Sequence, residues 1–184
     1  LTLSPEAVRF VAGTDTVEAE AVDRPLRSGE VELAGVDERF LTAAGFKADV
    51  GQTALLPQSG PVAIAVGLGE DELDAATVRN AAASVAKAAS KLASLTTSLA
   101  MAGADALGAD VATQAVIEGV LLASYRFDEL KGEPEDAQAL SSVTVVVPDG
   151  TDTQAALERA VAVAQGVALA RDLVNKPGGS LNAE

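Results

Sequence analysis

The chain contains no histidine, no cysteine and no tryptophan among its 184 residues. Without an imidazole or a thiolate it cannot form a Ser-His-Asp triad, a Cys-His pair or an ordinary zinc site, because each of these needs one as base or ligand. The lack of cysteine also excludes disulfides and is compatible with a reducing cytosol. Any chemistry would have to use carboxylates, lysine, serine, threonine or the single tyrosine, Tyr125.

Basic side chains are also scarce. Thirteen lysines and arginines stand against 27 acidic residues, which gives a formal net charge of -14. Such a charge repels nucleic-acid phosphates and anionic lipid, so neither nucleic acid nor a membrane is an expected partner. No apolar run reaches about 18 residues, and the first residues lack the basic and apolar regions of a secretory signal. We therefore expect a cytoplasmic protein.

Aromatic residues are few, with four Phe and one Tyr, while 48% of the residues are hydrophobic. The apolar content is typical of a folded globular protein rather than a disordered one. The length corresponds to about one domain with a proper core. That core must be built mainly from Ala, Val and Leu, whose small side chains suit close packing of helices against a sheet.

The pattern of apolar residues predicts alternating strands and helices. Strands are predicted at 1–13, 16–22, 53–56, 62–66 and 143–147, helices at 36–44, 73–93 and 110–125, and a β-capable stretch at 95–101. Arg24-Pro25 is predicted to end the second strand, Asp110 to cap the helix that follows it, and 131–136 to form a charged turn. From residue 53 onward this order predicts an α/β fold, with a mostly parallel mixed sheet flanked by helices.

The last stretch, from residue 151, predicts a long helix. Thr151, Asp152 and Thr153 are candidate N-caps, and Asn175-Lys176-Pro177-Gly178-Gly179 is a strong stop. The helix should bury a stripe formed by Leu157, Val161, Ala164 and Ala168. Because Val163, Val167 and Leu169 lie off this stripe, the helix is apolar nearly all round, which is typical of a helix that contacts protein on more than one side. At least one of these three side chains should be exposed in a single chain.

A glycine turn, Val66-Gly67-Leu68-Gly69, lies between a predicted strand and a predicted helix. Such a turn could hold a phosphate at the helix N-terminus. However, Glu72 stands where a dinucleotide fingerprint needs a small residue, and the neighbouring acidic residues would repel an anion. A tight turn with a purely structural role is the favoured interpretation.

Two further groups of residues could carry chemistry. The acidic run Glu70-Asp71-Glu72 with Asp74 could hold a hard cation, but acidic residues are also common in the first turn of a helix. Glu118, Tyr125 and Lys131 could perform acid-base chemistry, yet nothing in the sequence shows that they converge. Ordinary packing and surface roles are favoured for both groups.

Two stretches carry a resemblance to a known family. Residues 118–131, which begin Glu118-Gly119 and include Tyr125, Phe127 and Lys131, resemble the EG..L..Y.F..yK stretch of the leucyl aminopeptidases, the M17 metallopeptidases. The segment Ala170-Arg171-Asp172-Leu173-Val174-Asn175-Lys176-Pro177, with Leu181 and Glu184, resembles the ARDLVN.P...L.PE segment that leads into their catalytic domain. The glycine turn at 66–69 is also similar. Glycines at 178–179 and Ala183 depart from the family's Asn and Pro.

This resemblance implies a macro-domain-like N-terminal domain at 1–150, an interdomain linker helix at 151–175, and the start of an absent catalytic domain at 176–184. The implied parent is a hexameric metallo-exopeptidase that releases N-terminal amino acids using two divalent metal ions, zinc or manganese. The partners would be the chain's own catalytic domain and further copies, and peptide substrate would meet only the absent domain.

The resemblance implies no activity for these 184 residues alone. The family's metal-binding signatures do not occur among them, so no catalytic, cofactor-binding or metal-binding residue is assigned, and no cofactor is expected in this chain. The implied role is assembly, shielding of the active site or regulation. The alternative is a free-standing macro-type module that binds ADP-ribose or a nucleotide; DNA binding is a weaker third hypothesis because of the negative charge.

Overall fold

A computed structural model describes residues 3–13, 18–28, 38–127 and 140–176. After a short 3-10 helix, Pro5–Ala7, the strands are β1 (Val8–Ala12), β2 (Ala21–Leu26), β3 (Thr53–Leu56), β4 (Val62–Gly67), β5 (Ser94–Thr97) and β6 (Ser142–Val147). The helices are α1 (Glu38–Ala43), α2 (Ala75–Ala88), α3 (Leu99–Leu107), α4 (Ala109–Ala123) and α5 (Thr153–Asn175).

The six strands form one sheet in the order β1-β6-β5-β2-β4-β3. Every pairing is parallel except that of β3 with β4, which places one antiparallel strand at an edge. Parallel neighbours require crossover connections, and helices supply several of them. The predicted α/β fold with a mostly parallel sheet, flanking helices and a long C-terminal helix is confirmed.

The two faces of the sheet bury different sets of side chains. Along β4, Ile64 and Val66 join the larger core cluster, which includes residues of α2, α3, α4 and α5. Their neighbours Ala63 and Ala65 join a smaller cluster with Leu41 of α1. Because successive strand residues point to opposite faces, this alternation shows that both faces of β4 are covered.

The first two strands differ from their predicted bounds. Pro5 lies in the 3-10 helix, so β1 begins only at Val8. The second strand does not end at Arg24-Pro25 but includes both residues. A proline is tolerated there because β5 pairs with β2 only at Ala21 and Val22, so no strand pairs with β2 beside Pro25 on that edge. Residues 14–17, which contain the predicted start of this strand, lie outside the described residues.

The prediction for 95–101 was wrong beyond Thr97, because the chain turns into α3 at Leu99. A buried carboxylate from a neighbouring strand, Asp23, explains the change. Asp23 accepts hydrogen bonds from the Ser98 amide and the Ser98 hydroxyl, both at 2.8 Å, and from the Thr97 hydroxyl. An acceptor at the free amides of a first turn stabilises a helix start.

The remaining helices follow their predictions with shifted ends. Asp74 caps α2 by accepting from the Thr77 amide at 2.7 Å, so this helix begins at Ala75 and not at 73. The N-cap of α4 is Gly108, while Asp110 lies in the first turn and accepts from the Asp152 amide instead. Asp152, one of the three candidate caps of α5, accepts from the Ala155 amide at 3.0 Å. The predicted turn at 131–136 lies outside the described residues.

The buried stripe of α5 is narrower than predicted. Ala156, Ala160, Ala164 and Ala168 are its buried residues, whereas Leu157 and Val161 only pack at the edge of the core. Alanine at four-residue spacing lets the helix lie close to its neighbours. Val163 is 42% exposed and Leu169 is 61% exposed, as predicted for at least one off-stripe residue.

No helix within the described ranges has both the length and the apolar character needed to span a lipid bilayer.

Candidate functional site at the junction of α2, α4 and α5

A chain of polar contacts joins α2, α4 and α5. The Arg79 guanidinium donates through Nε to Glu118 Oε2 at 2.6 Å, and Gln114 Nε2 donates to Glu118 Oε1 at 2.8 Å. Gln114 in turn accepts from Arg159 Nε of α5 at 2.9 Å. Glu118 is only 2% exposed, and burial of a carboxylate costs free energy unless it is paired. The pairing explains why a glutamate stands in the middle of a buried helix.

Gly119 allows α2 and α4 to cross closely. A Cβ atom added at this position would lie 2.3 Å from the Arg79 carbonyl oxygen and 2.9 Å from the Ala82 Cβ. Both distances are shorter than van der Waals contact, and the first involves backbone, which cannot rotate away. Glycine is therefore required here by the close approach of the two helices.

Tyr125, just past the end of α4, contacts the last turns of α5. Its hydroxyl donates to Asp172 Oδ1 at 2.8 Å and accepts from Asn175 Nδ2 at 3.2 Å. The Arg171 guanidinium lies 5.3 Å from the centre of the tyrosine ring and donates to the Leu122 carbonyl at 3.2 Å. Desolvation, followed by the bond to Asp172, raises the pKa of Tyr125. These four contacts fix the end of α5 against α4.

The two stretches that carried the family resemblance therefore meet in space. Glu118 and Gly119 hold α4 against α2, and Tyr125 holds the segment Arg171–Asn175. The separation of about 50 residues along the chain hid this convergence from sequence reasoning. Glu118 and Tyr125 do not act together, since each has its own partners, and Lys131 lies outside the described residues. The contacts of Glu118, Gly119 and Tyr125 join helices α2, α4 and α5.

The outward side of α5 is apolar over its second half. From 162 to 174 this side consists of Ala162, Val163, Gly166, Leu169, Ala170, Leu173 and Val174, and all seven are exposed. Leu173 is 51% and Val174 is 84% exposed. We call these seven residues the outer face of α5. A continuous apolar face of this kind on a strongly acidic chain is typical of a protein-contact surface.

The glycine turn after β4 has no free amides for a phosphate. The amides of Gly67, Leu68 and Gly69 donate to the carbonyls of Gln52, Leu26 and Ala48, at 2.8, 2.8 and 2.9 Å. A Cβ at Gly67 would lie 2.2 Å from the Asp49 carbonyl oxygen, and Gly69 has a φ of 75°. Glycine therefore lets two backbone segments approach closely at this turn. This agrees with the interpretation that the turn has a structural role.

The acidic run after this turn does not form a cluster. Glu70 and Asp71 offer their backbone carbonyls to Arg27, at 2.9 and 2.7 Å, while Asp74 caps α2. Within the described part of the chain, no three acidic side chains lie close enough together to hold a metal ion. That this chain has no catalytic, cofactor-binding or metal-binding residue stays a prediction.

Sequence reasoning missed the buried Asp23, which is 2% exposed. Burial raises the pKa of this carboxyl group, although hydrogen bonds from Thr97 and Ser98 act in the opposite direction. Both oxygens are occupied by these partners. These bonds assign Asp23 a structural role at the start of α3. The available signal was an Asp that follows the apolar residues Ala21-Val22 and precedes Arg24-Pro25 in β2.

Comparisons with known proteins identify the family. The family model described as "Cytosol aminopeptidase family, N-terminal domain" matches residues 20–134, which is more than half of the chain. A probable cytosol aminopeptidase of Gloeothece citriformis is 36% identical over 155 residues, which cover 81% of this chain and 31% of that protein. The chain spans about a third of the length of the curated relatives it matches.

Solved structures agree with the fold. The bottromycin maturation enzyme BotP is 34% identical, with a TM-score of 0.71 over 89% of this chain and 34% of BotP. A second BotP structure is a complex with Mn. A mutant of tomato leucine aminopeptidase has a TM-score of 0.71 over 95% of this chain and 39% of its own, at 18% identity, which supports the fold alone.

Proposed function

Because this chain belongs to the cytosol aminopeptidase family and matches that family's N-terminal domain, we propose that it is the non-catalytic domain of a longer metallo-exopeptidase. Residues 1–150 would be the domain proper, 151–175 a linker helix, and 176–184 the start of the catalytic domain. The catalytic domain would bind two divalent metal ions, zinc or manganese, and release N-terminal amino acids from peptides. The complex of BotP with Mn supports manganese.

The observation that carries this proposal is the outer face of α5. Its exposed leucines and valines lie at the end of the helix from which the chain would continue into the catalytic domain. A second domain that packs on this face would remove the apolar surface from water and so stabilise the assembly. The role we assign to this chain is therefore to dock and position the catalytic domain, within a cytoplasmic homo-oligomer, proposed as a hexamer.

The direct test uses leucine p-nitroanilide with added manganese or zinc. The 184-residue chain should release no p-nitroaniline, whereas the protein encoded by the frame that continues past Glu184 should release it and lose activity on chelation of metal. Hydrolysis by the 184-residue chain alone would contradict the proposal.

The docking role has a test of its own in the longer protein. Replacing Leu169 and Leu173 by Gln should weaken contact between the two domains, detected as faster proteolysis near residue 175. The matched control replaces Gln154 and Glu158 by Ala, since the side chains of these two exposed residues of α5 bond each other, at 2.8 Å, and no other side chain among the described residues. Equal proteolysis of both variants would contradict the proposal that the outer face of α5 is the docking surface.

A further inference from the structure

A groove runs between α2, α4 and α5, on the side of α4 where Gly119 admits α2. Its volume is about 350 Å³. Its lining is Arg79, Asn80, Ala83, Lys87, Gly119, Leu122, Ala123, Tyr125 and Arg171. Five of these residues belong to the two stretches that carry the family resemblance, but the docking role of α5 does not use the groove.

The charge of the groove is opposite to that of the chain. Three of the 13 basic residues line it in a chain whose formal net charge is -14. Glu118 neutralises part of the charge of Arg79, and Asp172 accepts a hydrogen bond from Tyr125, but neither carboxylate lines the groove. Lys87 is exposed, and its side chain makes no hydrogen bond or ion pair with other described residues. The groove therefore presents cationic side chains on a chain whose charged residues are mostly acidic.

Two of the three cations are held in place before any ligand arrives. Arg79 is fixed by its bond to Glu118, and its side chain remains 35% exposed. Arg171 is fixed by the Leu122 carbonyl and by the face of Tyr125. A guanidinium that is already oriented loses less entropy when it binds a carboxylate, which it can contact with two parallel hydrogen bonds.

The spacing of the cations favours an extended ligand over a compact one. Arg79 and Lys87 are eight positions apart on α2, about 12 Å along the helix axis at 1.5 Å per residue. Between them the floor is formed by the small or apolar residues Ala83, Gly119 and Leu122. Acidic side chains at positions i and i+4 of an extended peptide are about 13 Å apart at 3.3 Å per residue. The methylenes and backbone between them would cover the apolar floor.

From these observations we propose that the groove between α2, α4 and α5 binds an acidic peptide in extended form, with one carboxylate at Arg79 and another at Lys87, in a groove that Arg171 of α5 also lines. The proposal does not depend on the assignment to a longer aminopeptidase, because it concerns only side chains of this chain.

The experiment is a calorimetric titration of the 184-residue chain with blocked penta-glutamate at low ionic strength. Saturable binding is expected, and it should weaken as salt is added, since the contacts are between exposed charges. Blocked penta-glutamine is the matched uncharged peptide and should not bind. Comparable binding of penta-glutamine would overturn the proposal.

Two charge reversals locate the site. Lys87→Glu should weaken binding about fivefold or more, because it replaces attraction by repulsion inside the groove. Lys91→Glu changes the net charge equally at an exposed position outside the lining, and should weaken binding less than about twofold. Equal weakening by both would mean that only the overall field matters, and would overturn the proposed site. Circular dichroism should show the same fold for both variants.

Inorganic phosphate separates a peptide site from a general oxyanion site. Phosphate should not displace penta-glutamate at concentrations that match it in charge, since a single compact anion cannot reach both ends of the groove. Full displacement by phosphate would contradict the proposal for an extended acidic peptide.

Discussion

Helices α4 and α5 are neighbours with similar apolar sequences but opposite surroundings. Nine of the 15 residues of α4 are buried, including a glutamate and a threonine, whereas α5 buries four alanines in 23 residues. Helix α4 is enclosed by α2, α3, α5 and β6, while the described part of the chain covers α5 on one side only. Most apolar side chains of α4 are therefore buried within this chain, whereas the apolar side chains on the outer face of α5 are exposed.

The largest expected effect tests the close packing of α4. Gly119→Ala places a Cβ 2.3 Å from a backbone oxygen of α2, so the helices must separate. We expect the free energy of unfolding to fall by about 3 kcal/mol or more, measured by urea denaturation.

The matched control for this change is Gly166→Ala in α5, where no atom of the described residues outside this helix turn lies within 4 Å of the added Cβ. Alanine is preferred to glycine inside a helix by roughly 0.5–1 kcal/mol, so this variant should be more stable than the parent chain. If both substitutions destabilise the chain equally, the proposed difference in packing between α4 and α5 is wrong.

The second effect concerns the buried carboxylate of α4. Glu118→Ala leaves Arg79 and Gln114 without their acceptor, and we expect a loss of about 2 kcal/mol, discounted because Arg79 is partly exposed. Glu158→Ala removes an exposed glutamate of α5 whose side chain bonds Gln154, and it should change stability by less than about 0.5 kcal/mol. Similar losses from both would mean that burial of Glu118 carries no special cost.

The third effect is local to the end of α5. The raised pKa of Tyr125 means that folding favours the neutral phenol, so this contribution is present below the ordinary tyrosine pKa and is lost as pH rises through the raised value. Because Tyr125 is the only tyrosine and there is no tryptophan, its absorbance near 295 nm reports it alone.

Replacing Asp172 by Asn should lower the pKa of Tyr125, since it removes a carboxylate that accepts from the phenol. Tyr125→Phe should speed hydrogen exchange in the last turn of α5 and leave exchange in α2 unchanged. Faster exchange in both helices would show that the contacts of Tyr125 stabilise α2 as well as the end of α5.

The smallest expected effect is on the outer face of α5. Leu173→Gln should change the stability of the 184-residue chain by less than about 0.5 kcal/mol, because the side chain is 51% exposed. The same substitution in the longer protein should cost more if a second domain covers it. Equal small effects in both proteins would count against such a domain at this face.

Particular residues show which parts of the fold could be predicted from the sequence pattern and which could not. The valine-rich strand at 143–147 was predicted, and the cap of α5 was predicted to be Thr151, Asp152 or Thr153, because these signals are local. β-branched side chains favour strands, and an oxygen beside free amides starts a helix. The stretch 95–101 was misjudged because its helix start depends on Asp23, which is 75 residues away from Ser98. Pro25 was misjudged because its tolerance depends on where the neighbouring strand ends.

The sequence by itself determined the class of fold, the family through the segments around Glu118 and Arg171, and the exclusion of histidine and cysteine chemistry. These conclusions depend on composition and on residues close together along the chain. Only the tertiary structure decided that Glu118 pairs with Arg79, that Tyr125 holds the end of α5, and which side of α5 faces outward. Each of these requires residues about 40 to 50 positions apart to meet, and an apolar pattern that surrounds a helix cannot show which side has found its partner.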